Sequence, residues 1–165
     1  MAEMDQREVE RRLWKAVEDD KVGMLGVVGG RPHHFQPMTA YFEEETRTLW
    51  FYSYKDAELL QEIGEGHAGM FTFVDKDRKV WACLGGELKR QDDPARIQKF
   101  WNATVAAWYP DGKDDPRLTL LRFSPSEAEV WVNDKGPLRF GLELLKAALP
   151  GRTADGGARE HLDLG

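Results

Sequence analysis

The period of hydrophobic and polar residues changes repeatedly along this chain, and each change marks an element. Val9, Leu13, Ala16 and Val17 recur at helical spacing, which predicts one apolar stripe on a helix ending near Asp19. Asp5 stands where an N-cap belongs, with Glu8 three residues on as a capping-box partner. A stripe this narrow suits a helix lying across the end of a barrel. Residues 22–28 are apolar and close on Gly29 and Gly30, which reads as a first strand and a turn. Residues 34–42 alternate: His34, Gln36, Met38, Ala40 and Phe42 share one face, and Phe35, Pro37, Thr39 and Tyr41 the other. Pro37 has no N–H, so this second strand is expected at a sheet edge or with a bulge. Such a break frees backbone groups for a ligand.

Further strands are expected at 47–53, 67–75 and 78–91. Gly85 and Gly86 interrupt the last of these, as at a bulge or barrel corner. A short helix over 57–63 has Asp56 as its candidate cap, and Asp93 with Pro94 opens another that reaches about Trp101. Residues 108–116 read as a loop turning at Pro110, Asp111 and Gly112. Strands at 118–123 and 128–133 follow, joined by Ser124, Pro125, Ser126 and Glu127. A short helix over 138–149 comes next. The tail from residue 150 is rich in glycine and charge and is expected to be loosely held. The reading is a single domain over 1–149 and a C-terminal tail over 150–165. Its class is mainly β: an antiparallel barrel of about six to seven strands with peripheral helices.

Composition narrows the function classes. A chain of 165 residues, 41% hydrophobic and 32% charged, is that of one soluble globular domain. No apolar run approaches the roughly 20 residues that cross a bilayer, so no membrane partner is expected. The first twenty residues are too charged for a signal peptide. Cys83 is the one cysteine, which rules out an internal disulfide and makes the cytoplasm the default compartment. The net charge of −6 argues against nucleic acid. It leaves room for an anionic small ligand in a local basic pocket.

Residues 31–55 hold the candidate chemistry: two aromatic-rich runs flank a polar turn, a hairpin pattern. Tyr52, Ser53, Tyr54 and Lys55 gather hydroxyls, backbone amides and one cation at a strand exit, as a phosphate would require. The same residues also read as a plain strand end with a solvated lysine. Trp50 and Trp131 read as structural, whereas Trp101 and Trp108 fit either a core or interface or an aromatic wall for a flat ring. His33 and His34 point to opposite faces of a strand and cannot easily share a metal ion. Cys83 reads as buried and inert. Glu43, Glu44 and Glu45 read as a solvated turn. No Rossmann or Walker loop is present, and no Ser/His/Asp order suggests a hydrolase, so no catalytic residue is assigned.

With the elements placed, the chain resembles the general stress protein family of flavin-binding split barrels, relatives of pyridoxamine 5'-phosphate oxidase. The matching stretches are Arg31-Pro32-His33, Gln36-Pro37-Met38-Thr39-Ala40, Leu49-Trp50-Phe51-Tyr52-Ser53, Ala82-Cys83-Leu84 with Gly86, and Phe100-Trp101-Asn102. They continue over 107–116, Leu120-Leu121-Arg122 and Glu129-Val130-Trp131. The resemblance implies a homodimer with FMN, or FAD, in a groove between subunits. It implies that Gln36, Pro37, Met38 and Thr39 face the flavin ring. Tyr52, Ser53, Tyr54 and Lys55 would hold the phosphate, and Trp101 and Trp108 could reach the partner's cofactor. Many relatives carry a second basic residue shortly after the first, where this chain has Glu58 and Leu59. Lys76 or Lys79 is the expected substitute. The function implied is a flavin-dependent redox protein. The alternatives are an oxidase of the pyridoxamine 5'-phosphate type and a non-enzymatic stress or binding module with weak or no flavin.

Overall fold

The computed structural model describes residues 4–29, 34–134, 136–151 and 157–165. Residues 30–33, with the Gly30, Arg31, Pro32 and His33 readings, lie outside the described residues.

The first helix, α1 (Gln6–Asp20), starts at Asp5, whose carboxylate accepts from the Arg7 N–H. The capping box does not form. Glu8 instead takes hydrogen bonds from Arg11 and Arg12 at 2.8 Å. Val9, Leu13 and Val17 are buried, and Trp14 widens the stripe by stacking on Phe42 at 4.5 Å.

Strand β1 (Val22–Val27) follows, then β2 (Gln36–Thr39) and β3 (Tyr41–Glu43). The expected single strand over 34–42 is therefore two strands, broken at Ala40. Next come β4 (Thr48–Tyr54), α2 (Glu58–Ile63), β5 (His67–Val74) and β6 (Val80–Gln91). The α2 N-cap is Ala57, without a side-chain bond, so Asp56 is not the cap. Helices α3 (Pro94–Phe100) and α4 (Ala103–Trp108) are separated at Trp101 and Asn102. The second was not expected. Asn102 caps it by accepting from the Thr104 and Val105 N–H groups. Strand β7 (Leu118–Val132) runs unbroken through Pro125, where two strands and a connection were expected. Helix α5 (Gly136–Ala147) and β8 (Ala158–Asp163) complete the chain. The tail residues expected to be loose thus include a strand, paired with β7 from Val132 to Glu127.

All the strand pairs are antiparallel, in the order β2-β1-β5-β6-β7-β4-β3, with β8 beside β7. The two outermost strands of that path, β2 and β3, are joined through Ala40 alone. The sheet must curl until its edges meet, which gives the split barrel read from the sequence. Eight strands among the described residues replace the six to seven expected: one split, one merger and β8 account for the difference.

The bulge expected at Gly85 and Gly86 exists, and its extra residue is on β7. Gly85 faces Glu127 and Gly86 faces Pro125, which leaves Ser126 without an opposite number. A Cβ on Gly86 would collide with the Ser124 backbone, so glycine is required there. One extra residue reverses the alternation along β7. Ala128, Val130 and Val132 fill the barrel beyond the bulge, and Leu121 and Phe123 fill it before. Leu118, Leu120 and Arg122 consequently face outward. Leu118 and Leu120 join a second cluster there with Tyr41, Trp50, Tyr52 and Val105, under α3 and α4. Strand β4 is buried on both faces: Leu49 and Phe51 in the barrel, Trp50 and Tyr52 in the outer cluster.

Candidate functional site

The candidate residues fall in two places, the β2 edge and the exit of β4. Strand β2 pairs with β1 only, in the register Gln36–Leu25, Pro37–Met24, Met38–Gly23 and Thr39–Val22. Its other side pairs with no strand among the described residues, which suits Pro37, whose missing N–H is tolerated at a sheet edge. Gln36 and Pro37 are exposed, and Met38 and Thr39 are half-buried. Met38 also packs on the barrel core, which fixes the strand's position.

The exit of β4 is built differently from expectation. The Tyr52 side chain is 5% exposed, and its hydroxyl donates to the Ile97 carbonyl at 2.7 Å. Burial, with Tyr41 and Tyr109 nearby, pushes its phenol well above the usual range. Its own carbonyl accepts from the Tyr109 hydroxyl at 2.7 Å. Burial, then the neighbouring Tyr54 and Tyr41, pushes Tyr109 up to about 12. Tyr54 packs edge-on against Tyr109 at 5.0 Å, with the Arg117 guanidinium 4.8 Å from its ring centre. The Tyr52 side chain is therefore a structural tie between β4 and α3. Ser53 is buried, with its hydroxyl 3.5 Å from the Tyr54 carbonyl.

Lys55 is exposed, and its backbone N–H is taken by the Arg117 carbonyl at 2.8 Å. Its cleft, about 300 Å³, is also lined by Asp92, Asp93, Asp114, Asp115 and Lys113. Carboxylates thus outnumber cations around the residue assigned to a phosphate. Lys76 is not brought to it within the subunit. Its N–H donates to Asp20 at 2.8 Å, at the end of α1, and nearly the whole length of β7 separates it from Lys55. Lys79 lies at that same far end. A distance of this kind, at about 3.3 Å per strand residue, is too great for one phosphate to span.

Trp101 is half-buried and meets Tyr52 edge-on at 5.8 Å. Trp108, at the end of α4, is 75% exposed. The cluster's remaining members escaped the sequence reading. Tyr41 accepts from the Asn102 amide at 3.1 Å. Glu43, expected in solvent, is 5% exposed and pairs with Arg96 at 2.9 Å and Lys99 at 3.1 Å. The Arg96 bonds, helped by Thr46 and Lys99, bring its carboxyl down to about 2. Arg96 in turn covers the Trp50 ring at 4.6 Å. Cys83 is half-buried, and burial with Glu127 and Glu129 nearby raises its thiol, which disfavours a nucleophile. Among the described residues, no group of three His, Cys, Asp or Glu is placed to hold a metal ion.

An exposed edge strand beside an aromatic cluster, on a curled antiparallel sheet, places the chain in the split-barrel class. The chain belongs to the pyridoxamine 5'-phosphate oxidase-like family, whose model matches residues 8–155. General stress protein 26 of Bacillus subtilis is a homologue, 24% identical over 144 residues, which is 84% of this chain and all of the relative. A crystal structure assigned to general stress protein 26 of Jannaschia sp. CCS1 superposes with a TM-score of 0.80. It is 28% identical and covers 96% of this chain and 99% of its own. The general stress FMN/FAD binding protein of Xanthomonas citri is 37% identical, with a TM-score of 0.72 over 78% of this chain and 92% of its own.

Proposed function

We propose that this chain is a homodimeric flavin-binding protein of the general stress type that acts in cytoplasmic redox chemistry, with FMN, or FAD, as cofactor. The observation that carries the reading is the one-sided pairing of β2. The rim of a flavin ring alternates hydrogen-bond donors and acceptors, and an unpaired strand edge offers the complementary set. Gln36, Pro37, Met38 and Thr39 would hold the ring edge. Ser53, Tyr54 and Lys55 would stand toward the phosphate, with Trp101 as a buttress behind Tyr52. The flavin, when bound, supplies the electron-transfer chemistry, and the protein supplies binding and orientation. The Xanthomonas citri relative, described as FMN/FAD binding, supports the assignment.

Dimerisation is supported by the outer face of the sheet. Val22, Met24, Val74 and Trp131 are 53%, 40%, 48% and 36% exposed there, an apolar surface of the kind a partner covers. Trp108, 75% exposed at the end of α4, would serve a neighbouring subunit. None of the described helices is long and apolar enough to cross a membrane.

One observation favours a second reading, a module that binds flavin weakly and does no chemistry. The carboxylates around Lys55 oppose a phosphate there. Titration of the purified protein with FMN, followed by quenching of flavin fluorescence, separates the two. A submicromolar Kd supports the first reading, and no saturation supports the second. Release of pyridoxal phosphate from pyridoxamine phosphate under oxygen would mark an oxidase instead.

A further inference from the structure

Because of the bulge at Ser126, β7 turns Arg122 outward while Leu121 and Phe123 fill the barrel. Arg122 then sits in a row across four strands: Tyr41 on β3, Trp50 on β4, Arg122 on β7 and Lys89 on β6. It is half-buried, yet it forms no ion pair and no side-chain hydrogen bond among the described residues, and its Nε is shielded from solvent without an acceptor. The neighbouring Trp50 indole N–H is also buried without an acceptor. The other arginines on which the outer cluster rests are matched: Arg96 by Glu43 and Asp93, and Arg117 by Asp111 and Asp115. Unpaired buried donors are costly and rare in folded proteins, and two on opposed residues of adjacent strands mark a surface short of acceptors. Lys89, 42% exposed on its side chain, adds a second cation and is tied, among the described residues, only to Glu87, at 3.3 Å.

We propose that Arg122, with Lys89 beside it, forms a binding site for a phosphate-class anion on the outer face of the sheet. A guanidinium presents a fork of donors that matches a phosphate's oxygens, and a nearby ammonium adds charge. The anion has two sources of the same chemistry. One is the phosphate of a flavin held by a partner subunit, which deepens the flavin reading and supplies the cation missing beside Lys55. The other is a free or substrate phosphate, which is independent of that reading.

The test uses the full chain and the variants Arg122→Gln, Arg122→Lys and Lys89→Gln, each checked for native circular dichroism. FMN, riboflavin and inorganic phosphate are titrated separately, the flavins by fluorescence and phosphate by calorimetry. If the anion is the flavin's own, Arg122→Gln weakens FMN about ten-fold or more and leaves riboflavin unchanged, and Arg122→Lys recovers part of the loss. If it is a free phosphate, the FMN-to-riboflavin ratio stays constant and phosphate binding is lost instead. Lys89→Gln, which leaves Arg122 in place, gives a smaller loss in the same arm and covers the case in which Arg122→Gln does not fold. A wild-type protein that binds phosphate but no flavin removes the flavin reading and leaves this one standing. FMN and phosphate affinities unchanged in both glutamine variants overturn it, and so does a wild-type protein that binds neither.

Discussion

Replacing Glu43 with Gln tests how the outer cluster is held. Glu43 has 4% of its side chain exposed and anchors α3 through Arg96 and Lys99. Its carboxyl is brought from 4.5 to about 2, mainly by Arg96. At about 1.4 kcal/mol per pKa unit, the full shift corresponds to roughly 3 kcal/mol. Arg96 and Lys99 are 29% and 50% exposed, so solvent screening reduces this to about 2 kcal/mol. A depressed carboxylate pKa stabilises the fold above the unfolded value of 4.5. That contribution is lost as pH falls through the folded value near 2. Glu43→Gln is therefore expected to be about 2 kcal/mol less stable than wild type at pH 7, a fall in Tm of roughly 4–8 °C. Urea unfolding at pH 7, 5 and 3 reads the difference, which should be full at pH 7 and clearly smaller at pH 3. An equal gap at all three values would refute the electrostatic argument and leave only a packing role.

Further outcomes follow from the same geometry. Gly86→Ala sets a Cβ against the Ser124 backbone and is expected to cost about 3 kcal/mol or more, read by denaturant unfolding. Leu162→Ala, in a residue 3% exposed on β8, should cost about 2–4 kcal/mol by the same measurement. Tyr52→Phe removes the hydroxyl that reaches Ile97 and should cost about 1 kcal/mol while leaving flavin affinity unchanged. Lys55→Ala is expected to weaken FMN by roughly 1.5–3 kcal/mol, and an unchanged titration would remove Lys55 from the site.

Much of the fold could be read from periodicity and turn chemistry. Alternating or apolar runs bounded by polar or glycine turn residues located β1, β4, β5 and β6, and Asp5 and Asp93 marked their helices. The misreadings have physical causes. Ser124-Pro125-Ser126 reads as a turn, yet β4 pairs β7 only as far as Phe123 and β8 only from Glu127. Pro125 occupies the interval between those partners, where a missing N–H costs little. Strand β8 is mostly polar, and it is a strand because β7 offers it an edge and Leu162 a place in the core. The candidate site was legible as residue types and not as contacts. Tyr52 reaches Ile97, and Tyr109 reaches back to Tyr52, across intervals that no local pattern reveals. Lys76 was an expected partner for Lys55 because hairpins adjacent in sequence look adjacent in space, whereas the long β6–β7 ladder holds them apart. The bulge was read from the two glycines, but its consequence for Arg122 depends on which strand carries the extra residue.

Native mass spectrometry of the protein reconstituted with excess FMN tests the central claim most directly, because it counts chains and cofactors together. The account predicts a species of two chains and two flavins, each flavin lost only with dissociation or unfolding. A single chain with no flavin retained at any FMN concentration would contradict it.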